Sequence, residues 1–394
     1  MTKDTKIEII SAIVIFGFFL SVVISYINGY YLKMAYPYNT FLFIPEVKFT
    51  DFISEVNLAS NLNPYTNDNG VVKAVYYPFS YLLLYVFSLF GKYSLLLSIG
   101  VFTVLFVFTA NSYFKPKHFS SYKNILLLIF LSYPFLFDLD RANIEWMVFL
   151  FTSWSLYFYY ENKHNLAIVF LSMAVSMKFY PIIFLTLFLL DKKYTVMVKT
   201  ILLTSLITLI SMYSFSGELN ETYKNILLGQ QFFKDNYVLA DFGGLAYNNS
   251  LFGILKFVNL AMKKVIGIKL LSLVYFITVI SIYSSLVYFM WRKNLKRWEK
   301  ITIITFSMLL FPFVSFDYKL LFVFIPIFYF IREEDTHHTM GMIPIVLFAL
   351  LLIPKNFYFI YANISISILL NPLIMVSLIL IVLSNNSNNK KVTN

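Results

Sequence analysis

The sequence predicts an all-α polytopic membrane protein, and three observations carry that prediction. Of 394 residues, 59% are hydrophobic and only 13% charged, with a mean hydropathy of +0.73, whereas a soluble chain carries about 25% charged residues. The apolar residues run in stretches close to the ~20 needed to cross ~30 Å of hydrocarbon at ~1.5 Å per residue. The 31 lysines and arginines, which leave a net charge of +11, fall in short segments between those stretches. The basic excess therefore reads as membrane orientation, and no nucleic-acid partner is expected.

In chain order the apolar runs are Ile7 to Ile27, Tyr76 to Phe114 with breaks, Asn124 to Phe137, Asn143 to Tyr160, Leu166 to Leu190 and Val196 to Phe215. They continue with Ile266 to Trp291, Ile301 to Phe316, Leu320 to Ile331, Met342 to Ile353 and Ile364 to Leu383. The first run is followed by SYINGYY in place of a small-residue cleavage site, so it is read as a retained helix. WRKNLKRWEK at 291 to 300, KPKH at 115, DKKY at 191 and the terminal NNKK mark the cytoplasmic side. Loops 29 to 75 and 216 to 265 then lie outside, with residues 1 to 394 forming one transmembrane domain and short helices in the outer loops.

Two threadings of the middle differ. In one, Tyr76 to Phe114 crosses once and Leu166 to Leu190 folds as two short helices hinged at Lys178 to Pro181, which leaves DLDR (138 to 141) outside. In the other, Tyr76 to Phe114 crosses twice and DLDR moves to the cytoplasm. The positive-inside rule favours the first, and about twelve membrane segments (11 to 13) follow from it.

The polar residues of this apolar chain are few enough to weigh singly. Asp51 opens a stretch in which Phe52, Val56 and Ala59 repeat at helical spacing, as in a short amphipathic helix on the membrane surface. Its alternatives are a functional carboxylate or a helix cap, for which Thr50 serves equally. DLDRANIEW packs Asp138, Asp140, Arg141, Asn143 and Glu145 between two apolar runs, which suits either an interfacial anchor or an anionic head-group site. In SMKFYPIIF, Lys178 sits in an apolar segment just before Tyr180 and Pro181. It must face a carboxylate, a phosphate or a watery cavity unless it snorkels to the interface. Asn248, Asn249 and Ser250 fit a helix cap after Gly243 and Gly244, and Asp317 with Lys319 fits a boundary ion pair.

Other chemistries are excluded or weakened. There is no cysteine, and the four histidines, His118, His164, His337 and His338, lack zinc-ligand spacing and read as solvated loop residues. No phosphate-binding glycine loop, serine nucleophile elbow or metalloprotease helix occurs. No soluble stretch is long enough for a separate nucleotide-sugar domain. The many Tyr and Phe residues read mainly as lipid-facing wall and interface belt, with some rings able to stack on sugar.

Taken in order, these pieces resemble the integral-membrane glycosyltransferases of the GT-C superfamily, most closely glycosyltransferase family eighty-seven, the polyprenyl-phosphate-mannose-dependent mannosyltransferases and their relatives. The family's outer-loop aspartate looks like Asp51, its Pro-Tyr like Pro64-Tyr65, and its Tyr-Pro-Pro like Tyr77-Pro78 with Phe79 in place of the second proline. A Gly-Asn looks like Ala142-Asn143, with alanine replacing glycine. The Lys-x-Tyr-Pro element looks like Lys178-Phe179-Tyr180-Pro181, an Asn-x-Ser-Leu like Asn248-Asn249-Ser250-Leu251 with a shifted asparagine, and a late Asp-Tyr like Asp317-Tyr318. The similarity spans about residues 45 to 330 and lies in order and spacing more than in any one motif.

The resemblance implies a GT-C-like fold and an inverting transfer from a polyprenyl-phosphate sugar to a hydroxyl on a glycan, glycolipid or protein acceptor. The site would lie at the outer face of the cytoplasmic membrane, with the donor entering sideways from the lipid. Asp51 would be the general base. Lys178, Arg141 and Lys319, with Tyr180 and Asn143, would stabilise the departing phosphate, and Glu55, Tyr77, Asp138, Asp140, Asn249 and Asp317 would contact substrate. No metal is required, although Asp138 and Asp140 could hold Mg²⁺ or Mn²⁺ loosely. The sugar is not carried over, because Phe79 and Ala142 depart from the family pattern. Two rival readings remain. A transporter or flippase should show paired midplane breaks in both halves, and none is visible. A polysaccharide polymerase or ligase should place arginines in the second outer loop, and residues 216 to 265 contain none.

Overall fold

A computed structural model describes residues 1–61, 63–65, 74–216, 219–333 and 342–388. The chain is about 76% helical, and the expected all-α class holds apart from one antiparallel hairpin, Phe359–Tyr361 with Ile364–Ser365. Five helical stretches are long and apolar enough to cross a membrane: Lys3–Tyr31, Gly91–Phe114, Tyr194–Phe215, Ile268–Arg292 and Ser367–Asn385. A sixth arises if Phe119–Phe130 and Tyr133–Arg141, bent by 50° at their junction, count as one broken span.

Five or six spans among the described residues stand against the twelve expected, and helix length explains the difference. Of the runs counted as spans, His164–Met177, Arg297–Leu310, Phe324–Arg332 and Ile343–Leu352 form helices of only 14, 14, 9 and 10 residues, or ~14–21 Å of rise, short of the hydrocarbon thickness. Apolar composition counts such pieces as spans, but geometry does not. One break falls where the first threading puts it, and a second falls inside the run Tyr76 to Phe114. The helix His164–Met177 stops at Lys178, whose backbone turns extended, and the chain resumes as a 3₁₀ turn over Tyr180–Phe184. Pro78–Ser88 is separated from Ser94–Phe114 by a short 3₁₀ turn at Gly91–Tyr93.

The chain divides into two compact units, a terminal unit of residues 1–46, 110–137 and 239–394 and a middle unit of residues 47–109 and 138–238. In the terminal unit, Arg297–Leu310 and Phe324–Arg332 are buried almost all round, as apolar helices without a polar face must be. Lys3–Tyr26 packs on Phe119–Phe130 and on Ile343–Leu352. Near its start Lys6 is buried and donates to the carbonyls of Phe330 and Glu333, each at 3.2 Å. In the middle unit, Glu145–Tyr160 packs on His164–Met177, which packs on Tyr194–Ser216. Ser172 and Ser176 donate to the carbonyls of Thr200 and Thr204 across that second contact, close small-residue packing typical of helices in lipid. Thr50–Ala59 lies on Pro78–Ser88 with Phe52, Val56, Leu58 and Ala59 inward, the amphipathic helix that the spacing predicts.

Candidate active site

The middle unit gathers most of the polar residues singled out by sequence. Phe49, in the left-handed region at φ 61°, starts the Thr50–Ala59 helix without a side-chain cap. Thr50 donates back to the Val47 carbonyl, and the Asp51 carboxylate faces two residues at the end of Tyr133–Arg141. Arg141 forms an ion pair with Asp51 Oδ1 and also donates to the Val47 carbonyl, while Asn143 Nδ2 donates to Asp51 Oδ2 at 2.8 Å. Capping therefore does not account for Asp51. Ala142, between these two donors, is buried and left-handed at φ 50°. That conformation costs a residue with a Cβ about 1–2 kcal/mol and suits glycine, which is the residue the family pattern has there.

Lys178 meets the requirement set by its apolar surroundings. Its ammonium lies 2.7 Å from Glu145 Oε1 and 3.4 Å from Asn143 Oδ1, and it sits 4.7 Å from the centre of the Tyr76 ring. Tyr180 donates to the other oxygen of Glu145. Asn143 thus joins two ion pairs, Asp51–Arg141 through its amide nitrogen and Glu145–Lys178 through its amide oxygen, and its Nδ2 also approaches the Tyr76 hydroxyl at 3.4 Å. The two pairs differ in access: the Asp51 side chain keeps 23% of its surface, whereas that of Glu145 keeps none.

Glu55, one turn after Asp51, is buried and accepts from Tyr81 at 2.7 Å. Burial pushes its carboxyl up to about 7, the Tyr81 hydrogen bond opposes this, Asp51 adds to it and Lys178 opposes it. The Tyr81 ring touches Tyr65 and Tyr76, and Tyr65 donates to the Tyr76 carbonyl at 2.7 Å. Asp138 is fully buried, and neither of its oxygens meets a donor among the described residues. Asp140 is buried too, and its carbonyl accepts from Phe49 N at 2.8 Å. Tyr77 caps Pro78–Ser88 by position and accepts from Gln230 at 2.9 Å.

Three predicted residues belong to the terminal unit. Asn249 Nδ2 donates to Asp317 Oδ1 at 2.9 Å, and Tyr133 donates to Asp317 Oδ2. Asn356 donates to the Tyr133 hydroxyl at 2.6 Å, and Asn371 to Asn249 Oδ1 at 2.8 Å, so Asp317 ends a fully buried polar network. Lys319 follows in the same turn and is half-buried. Ser250 caps Leu251–Ala261 by accepting from Gly253 N at 3.0 Å, as its sequence context suggests.

Among the described residues no group of three or more His, Asp or Glu side chains could hold a metal ion. His118 precedes Phe119–Phe130, and the His164 ring lies against Tyr159. His337, His338 and the lysines of the terminal NNKK lie outside the described residues.

Sequence reasoning names Glu145 within its polar run but assigns it no role, and it misses Tyr76, Tyr81, Tyr133 and Asn356. Glu145 had a usable signal, since a lysine buried in an apolar segment requires an acid. The tyrosines had none, because 30 tyrosines are spread along the chain.

The family model described as glycosyltransferase family 87 matches residues 74–315. That stretch contains Tyr77, Asp138, Asp140, Arg141, Asn143, Lys178, Tyr180 and Asn249, and it stops short of Asp51, Glu55, Asp317 and Lys319. No curated protein and no solved structure matches the chain.

Proposed function

The chain belongs to glycosyltransferase family 87, and we propose that this membrane glycosyltransferase moves a sugar, with inversion, from a polyprenyl-phosphate donor to an acceptor hydroxyl, using Asp51 as general base. The observation that carries the reading is the pairing of two carboxylates with two cations through one asparagine, with only Asp51 left open to a substrate. Asn143 and Arg141 hold both oxygens of Asp51 in one orientation, which keeps the carboxylate aimed.

The acceptor oxygen attacks the anomeric carbon and gives its proton to Asp51. The bond from that carbon to the phosphate oxygen breaks, and its electron pair leaves on the polyprenyl phosphate. A positioned base contributes about 10²–10⁴ in rate. The growing phosphate charge is stabilised by the cations of the same cluster, Lys178 and Arg141, with Tyr180 and Asn143 as hydrogen-bond donors. Glu145 sets the position of Lys178 and Tyr180 beforehand, so that little reorganisation accompanies bond breaking.

An apolar groove of about 560 Å³, lined by Phe90, Tyr93, Leu96, Gly100 and Val104 of the same middle unit, supports a lipid-linked donor, since its lining offers a polyprenyl chain almost nothing but hydrocarbon. The site is assigned to the outer face of the cytoplasmic membrane, with a glycan, glycolipid or protein as acceptor. The test is sugar transfer by the purified chain in nanodiscs with a panel of polyprenyl-phosphate sugars. Turnover that Asp51→Asn reduces at least 100-fold, with folding intact, supports the reading. Equal turnover in the variant moves the base elsewhere, and no turnover with any donor overturns the donor class.

A further inference from the structure

The terminal unit contains a charged cavity unrelated to the polar network around Asp317. Its volume is about 250 Å³, and it lies between the end of the helix Leu251–Ala261 and the first turn of Ile268–Arg292, lined by Asp241, Lys256, Asn259, Lys264, Gly267 and Ile268 among others. Two cations and one carboxylate face it. Lys256 is 2% exposed and donates to the Gly243 carbonyl at 2.7 Å, and Lys264 pairs with Asp241 at 2.5 Å. The lining thus carries one positive charge in excess, with a lysine at its base that folding has already stripped of water.

The walls are built to hold this shape. Asn259 accepts from Ile266 N at 3.0 Å and donates to the Ile266 carbonyl at 2.8 Å, pinning the connecting loop. Lys263 and Lys264 are both left-handed, at φ 60° and 62°. Beyond the cavity, Leu270, Leu273, Val274 and Ile277 recur at helical spacing on Ile268–Arg292, each more than half exposed. A small anion needs only the cavity, whereas a lipid uses the cavity for its head group and the stripe for its chain.

We propose that this cavity binds the phosphate of an anionic membrane lipid, with Lys256 and Lys264 as its cationic partners and the exposed face of Ile268–Arg292 as the seat of an acyl chain. Binding draws Lys264 partly away from Asp241 toward the phosphate, and the lipid's charge offsets that of Lys256. The site is distinct in its residues from the Asp51 cluster, and its occupancy is measurable without any sugar transfer.

The test is native mass spectrometry of the full-length protein in a neutral detergent, titrated with phosphatidylglycerol, with phosphatidylcholine or with inorganic phosphate. Saturable phosphatidylglycerol adducts that weaken about tenfold in Lys256→Met and in Lys264→Gln, but not in a control such as Lys224→Gln, support the proposal. Lys264 is exposed, so its variant keeps the test decisive if Lys256→Met does not fold. Unchanged phosphatidylglycerol binding in Lys264→Gln overturns the proposal, as does equal binding of phosphatidylcholine. Inorganic phosphate that competes at the same concentration as the lipid also overturns it, because the stripe would then contribute nothing.

Discussion

Replacing Glu55 by glutamine isolates the effect of a buried carboxyl beside the Asp51 cluster. Burial raises Glu55 from 4.5 to about 7, so between those values the folded chain holds a proton that the unfolded chain has released. The corresponding stability is fully present below about pH 4.5 and is lost as pH rises through about 7. At ~1.4 kcal/mol per pH unit the interval is worth up to about 3 kcal/mol. A glutamine at this position cannot ionise, yet its amide oxygen can still accept from Tyr81, whose bond to Glu55 is 2.7 Å. The variant is therefore expected to match the native chain near pH 5 and to be more stable by up to about 3 kcal/mol near pH 8, roughly a few degrees in unfolding midpoint. The assay is thermal unfolding of both proteins in one detergent from pH 5 to 8.5. Parallel pH profiles would refute the reasoning, because they would mean that Glu55 ionises as freely in the folded chain as in the unfolded one.

Further outcomes follow from contacts already described. Ala142→Gly is expected to raise stability by about 0.5–1 kcal/mol, the left-handed cost relieved less the added backbone entropy, and an unchanged or lower midpoint would count against it. In Gly229→Ala the new Cβ would lie 2.2 Å from the Ala74 carbonyl oxygen, backbone that cannot step aside, so a loss of about 1–3 kcal/mol is expected in the same unfolding assay. Glu145→Gln removes the charge that balances the Lys178 ammonium and is expected to cost about 3–5 kcal/mol. Adding Lys178→Met should return much of that stability without restoring sugar transfer, which a double-mutant cycle measures.

Much of the middle unit was legible because its signals are local. The spacing of Phe52, Val56 and Ala59 gives the surface helix, and the Lys178 to Pro181 run gives the break, since proline restricts the residue before it and removes a donor. The need of Lys178 for a counter-charge is equally local. Its partner is not, because Glu145 lies 33 residues away and becomes the partner only through the packing of two helices. The terminal unit shows the limit more sharply. Asp317 and Asn249 stand out as polar residues in apolar surroundings, but Tyr133, 184 residues from Asp317, and Asn356, 223 residues from the Tyr133 that it bonds, complete the network and carry no periodic mark. The span count fails for a related reason, since hydropathy registers apolar residues and is blind to where a helix stops.

The interruption of the terminal unit's sequence by that of the middle unit has a consequence for synthesis. The middle unit is complete in sequence once residue 238 has been made, whereas Lys6 must wait for the Phe330 carbonyl, 324 residues downstream. At ~5–20 residues per second, the roughly 90 residues between those points take several seconds. Through that time the first helix has Phe119–Phe130 to pack on but neither Phe324–Arg332 nor Ile343–Leu352. A ribosome stalled shortly after the middle unit should therefore release a chain with the Asp51 cluster assembled and the first helix still open to lipid, a partner for chaperones that the finished protein no longer offers.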